Sequence, residues 1–131
     1  MYARNTTVGT DKTRAEIEKL LKKCGASHFG YMSEPGRAQI AFVSANRRVK
    51  FTVPMPTRGT ERKVKAEERR RWRSLLLSVK GKLVGVADGV ETFEEAFLAH
   101  IVTSEGPTVM EAMQTLQRSG EGPLLLAAVK P

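Results

Sequence analysis

The densest chemistry in this 131-residue chain is cationic. Between Glu61 and Arg73 stand Arg62, Lys63, Lys65, Arg69, Arg70, Arg71 and Arg73, set against only Glu61, Glu67 and Glu68. Guanidinium and ammonium groups at this density bind phosphate oxygens or carboxylates, the guanidinium through two parallel hydrogen bonds. Arg37, Arg47, Arg48 and Lys50 form a second set, on and beside an alternating strand. Trp72 lies inside Arg70-Arg71-Trp72-Arg73. There an indole can stack on a base while its neighbours hold phosphates. The same residue also heads an apolar series of Trp72, Leu75, Leu76, Val79, Leu83 and Val86. Steps of three and four make that series one face of a helix. Its continuity favours a place in the core.

Other reactive groups are sparse. His28 and His100 are the only histidines, and no spacing pairs either with a nucleophile, so both read as structural. One cysteine and two separated histidines are a poor ligand supply for a metal. Glu94 and Glu95 fall in a first helical turn, where negative charge complements the helix dipole. The glycines form neither a Walker loop nor a dinucleotide turn. The expectation is a non-enzymatic binding protein with no catalytic residues, no metal site and no cofactor.

The charge is unevenly spread. The net charge is +8 with a pI near 10.0. Residues 1–82 hold 20 Lys/Arg against 7 Asp/Glu, whereas residues 83–131 hold 2 against 7. A basic front attracts nucleic acid or an acidic protein; the plainer alternative is that it only solvates exposed faces. The single Cys24 fits a reducing compartment. The N-terminus lacks a signal-peptide pattern, and no apolar run approaches bilayer length. These features predict a soluble, cytoplasmic protein without a membrane partner.

The elements that must position the cations follow from periodicity. Residues 1–9 read as a mobile basic arm, residues 10–119 as one domain and residues 120–131 as an apolar tail. Thr13-Arg14-Ala15-Glu16 has the form of a capping box, followed by Ile17, Leu20, Leu21 and Cys24 at helical spacing and by Gly25 as a stop. The period then becomes two. Short strands are expected at His28–Met32, Ala38–Ala45 and Arg48–Met55, with turns at Ser33–Arg37 and Asn46-Arg47. In the third strand Val49, Phe51, Val53 and Met55 share one face, leaving Arg48, Lys50 and Thr52 on the other. Thr60 is placed to cap the long helix, and Asp88-Gly89 to stop it. Thr92 to Glu95 and Thr108 to Glu111 are two more capping boxes, each opening a short helix. The predicted class is α+β: helix, three-stranded antiparallel sheet, long basic helix and two short helices, in two layers.

Arg71-Trp72-Arg73-Ser74-Leu75-Leu76-Leu77 and Thr92-Phe93-Glu94-Glu95-Ala96-Phe97-Leu98-Ala99-His100, with Ala15 to Leu21 and Cys24 to Tyr31, carry a family likeness. The chain resembles small uncharacterised proteins encoded by tailed phages and prophages, from about Thr7 to Met113. The resemblance implies a life in the cytoplasm of an infected or lysogenic bacterium and a place among early replication and recombination functions. It carries over no activity and no site residues. Together with the charge it points to a nucleic-acid-binding accessory, single-stranded DNA foremost. The binding set is Arg37, Arg47, Arg48, Lys50, Arg62, Lys63, Lys65, Arg69, Arg70 and Arg73. The alternative is a small protein that binds and modulates a host protein of defence or transcription. A homo-oligomer is also expected, joined through Gly81, Gly85 and the apolar tail.

Overall fold

A computed structural model describes the backbone of residues 2–122 and the side chains of residues 10–122. The element order is α1 (Tyr2–Lys23), β1 (Ser27–Glu34), β2 (Arg37–Ser44), β3 (Arg47–Pro54), α2 (Glu61–Ala87), α3 (Phe93–Phe97), a 3-10 turn (Leu98–His100) and α4 (Val109–Arg118). The strands form an antiparallel meander in the order β1-β2-β3. The α+β class and the helix–sheet–helix order are therefore as predicted. The apolar tail, from residue 123 onward, lies outside the described residues.

Three local expectations change. The chain is helical from Tyr2, so α1 takes in residues 2–9 and starts well before Thr13. Thr13 is an interior residue of that helix and not its cap. Thr10 and Thr13 are both buried, in line with Ile17 and Leu21, so the inward stripe simply continues through two threonines. The second turn is Ala45-Asn46, with φ of 52° and 63°, and Arg47 already pairs with Ser44. Two positive φ values at a two-residue turn are the type I′ geometry that suits strand twist.

The terminators behave as their chemistry requires. Thr92 and Thr108 both complete capping boxes with Glu95 and Glu111. Thr60 Oγ1 accepts from the Lys63 amide at 3.2 Å, capping α2. At the end of α1, Gly25 takes φ of 95°. Its amide donates to the Lys22 carbonyl and the Ala26 amide to the Leu21 carbonyl, the paired bonds of a Schellman motif.

The register divides the sheet cleanly. Ala38, Ile40, Phe42, Val49 and Phe51 point to one face and are buried against Ile17 and Leu21 of α1, Trp72, Leu75, Leu76 and Val79 of α2, and Ala96 and Phe97 of α3. Phe97 packs edge-on against Phe42 and Phe51, with centroids 6.1 and 6.2 Å away. His100 lies parallel to Phe51 at 3.9 Å, and burial pushes its pKa down. The outer edge of β3 is partly closed, because the Val102 amide donates to the Arg48 carbonyl at 2.8 Å.

Candidate nucleic-acid interface

The expected cations fall on two sides of the sheet. Pairing of Ala41 with Lys50 and of Val43 with Arg48 puts Arg48 and Lys50 on the face away from the helices. Gln39 is there as well, bonded to Thr52 Oγ1 at 3.0 Å. Arg47 is displaced by the alternation to the helix side, where its guanidinium pairs with Glu94 of α3. All the α2 cations belong to the opposite, helical layer. The sheet-face cations and the long-helix cations named from sequence therefore lie in different layers.

Partners separate these residues further. On the sheet, Arg37 pairs with Glu34 at 2.8 Å and Lys50 lies 3.9 Å from Glu111. On α2, Lys65 pairs with Glu61, and Glu67 holds both Arg70 at 2.6 Å and Arg71 at 2.9 Å. The hydrogen bond from Arg71 keeps the Glu67 carboxyl below its ordinary pKa, so Glu67 remains a counter-charge to both arginines. Arg71 also donates to the Pro54 carbonyl at 2.6 Å, tying α2 to the end of β3. Among the expected residues, Arg48, Arg62, Lys63, Arg69 and Arg73 are exposed and make no ion pair with any described residue.

The unpaired helical cations form two rows. Arg62, Arg69, Arg73 and Lys80 are separated by seven, four and seven residues, which keeps them on one flank of α2. Lys12, Lys19 and Lys23 are separated by seven and four, one flank of α1. The two rows meet at Lys80. Glu16, Lys19, Leu20 and Lys23 of α1 line a groove of about 210 Å³ with Leu76 and Lys80 of α2. Lys12, Lys19, Lys23 and Lys80 are all exposed and make no ion pair with any described residue. They were missed in sequence because neither row is dense along the chain; only the helical repeat reveals them. Glu16 is the carboxylate in the groove. Among the described residues no cluster of His, Cys, Asp or Glu could hold a metal, and no helix is long and apolar enough to cross a membrane.

Trp72 is 3% exposed and sits in the core cluster. The stacking role weighed for it is closed, since a buried indole presents no face to a base. Of the two glycines expected to admit another backbone, Gly81 has open space around it. A Cβ at Gly85 would meet the Glu91 carboxylate of its own chain at 2.7 Å. The loop after α2 thus already occupies that half of the expected groove.

No family model, no curated protein and no solved structure matches this chain.

Proposed function

We propose that the protein binds nucleic acid, without sequence preference, through the outer flank of α1 and α2. The observation that carries this reading is the double row of exposed cations lacking counter-charges, Lys12, Lys19 and Lys23 beside Arg62, Arg69, Arg73 and Lys80. Two rows of cations on neighbouring helices suit a phosphate backbone, and contacts of that kind fix position without reading bases. The cations of the sheet, mostly paired with carboxylates, contribute less. A phage-encoded accessory of replication or recombination is the setting that the family resemblance suggests, and single-stranded DNA is the first substrate to test.

Each phosphate contact releases counterions, so affinity falls with salt with a slope of roughly 0.7 per contact on single strands and 0.9 on duplex. The test is a titration of labelled single- and double-stranded oligonucleotides at several salt concentrations. The variant Arg62→Gln/Arg69→Gln/Arg73→Gln/Lys80→Gln should lose affinity and flatten the slope by up to about four contacts' worth. The variant Arg37→Gln/Arg47→Gln should change it little. No binding by the wild type at low salt would remove the proposal.

A further inference from the structure

The face of the sheet turned away from the helices carries a cavity of about 450 Å³, lined by His28, Ala41, Val43, Arg48, Lys50, Val102 and Gly106 together with Phe42 and Val49. This is within the range of small-molecule sites. The floor is apolar and built of small side chains. Ala41 pairs with Lys50 on one side and with Gly30 on the other, and a Cβ built at Gly30 would meet nothing within 4 Å. The rim is cationic. Arg48 has no carboxylate partner, and Lys50 has only Glu111, beyond hydrogen-bonding distance at 3.9 Å. No carboxylate lines the cavity itself.

His28 is held there by an unusual backbone. The register between β1 and β2 shifts between Ser27 and Gly30, and His28 takes φ of 55°. Bulges re-aim side chains and recur beside binding sites, and a non-glycine residue in the left-handed region costs free energy that a functional site can justify. The Ser27 hydroxyl meets His28 Nδ1 at 2.8 Å, which leaves Nε2 for a ligand.

We propose that this trough binds a single nucleotide unit, with its ring on the floor of Ala41, Val43 and Val102 and its phosphate on Arg48, Lys50 and His28. A flat apolar floor accepts a planar ring, and a rim with Arg48 exposed and Lys50 held only loosely by Glu111 accepts a phosphate monoester. The unit comes either from a free mononucleotide or from a phosphorylated strand end. The site lies across the sheet from the helical flank, so it is independent of that surface.

The test uses the intact chain and amide chemical-shift mapping with AMP, adenosine, inorganic phosphate and an oligonucleotide with or without a 5′-phosphate. AMP should shift the Ala41, Val43 and Val102 amides, adenosine and phosphate far less. Ala41→Leu fills the floor at an exposed position, so the fold is kept, and it should abolish the shifts. Arg48→Gln should weaken AMP by about tenfold or more, the loss of one charge-assisted hydrogen bond. Arg62→Gln/Arg69→Gln should leave AMP binding unchanged. A response to the phosphorylated oligonucleotide exceeding that to AMP identifies a strand end as the source; the reverse identifies the free nucleotide. No shifts with millimolar AMP, or shifts that survive Ala41→Leu, would overturn the proposal.

Discussion

Truncating Trp72 separates a core residue from a stacking platform. The indole is 3% exposed and shares the core cluster with Leu75, Leu76 and Val79 of the same helix and with Ile17 and Leu21 of α1. An aromatic side chain of this kind buries roughly 150–250 Å². At about 25 cal/mol per Å² that is roughly 4–6 kcal/mol of transfer free energy. Measured truncations of large aromatics to alanine cost about 3–5 kcal/mol, because the surrounding structure collapses only partly into the space. A domain of this size shifts its Tm by about 3–5 °C per kcal/mol, so Trp72→Ala should melt about 10–20 °C lower. Urea unfolding should show a lower midpoint at an unchanged slope. Trp72 is also the only tryptophan, so intrinsic fluorescence reports this site alone. Its emission should be that of a buried indole and should not respond to oligonucleotide. A Trp72→Ala protein that melts with the wild type but loses affinity for nucleic acid would refute the core assignment, as would quenching of the wild-type emission at saturation.

Four further outcomes follow from the same structure. His100 has a folded-state pKa lowered from 6.5 by burial, with Lys82 adding to the effect. Between those two values the unfolded chain binds a proton that the folded chain does not. Stability should therefore be full above about pH 6.5 and decline as the pH falls through the window below it. His100→Gln should flatten that decline in urea titrations run across this range. Ala45 holds a left-handed conformation that alanine disfavours, so Ala45→Gly should raise stability by about 0.5–1 kcal/mol in the same assay. Thr108→Ala breaks a capping box at a buried threonine and should cost about 1 kcal/mol, read as a lower Tm. Leu77 and Val84 are 60% and 50% exposed beside the open Gly81. A second copy packing on Leu77, Gly81 and Val84 would cover this apolar strip. Sedimentation at micromolar concentration should then show a dimer that Leu77→Glu dissociates, and a monomeric wild type refutes it.

What was legible in the sequence was what short-range periodicity encodes. The alternation of Val49, Phe51 and Val53 against Arg48, Lys50 and Thr52 fixed the faces of β3, because a slip by one residue would bury two cations. Pro35-Gly36 and the capping threonines Thr92 and Thr108 marked their boundaries by local chemistry alone. Thr13 misled for the same reason. A threonine three residues before a glutamate is a cap only where the preceding chain leaves the helix, and the buried Thr10 shows that here it does not. The cationic surface was the least legible part, because whether a charge is available depends on a partner the local pattern does not name. Arg47 is neutralised by a glutamate 47 positions away, and Lys50 faces Glu111 only because the chain after His100 returns along β3. The dense cluster from Arg62 to Arg73 therefore overstated α2, where Glu61 and Glu67 engage Lys65, Arg70 and Arg71. Lys19 and Lys23, scattered in a helix that looks merely amphipathic, come beside Lys80 only because α1 packs against α2. Density along the chain and density in space are different quantities, and a polyanion meets only the second.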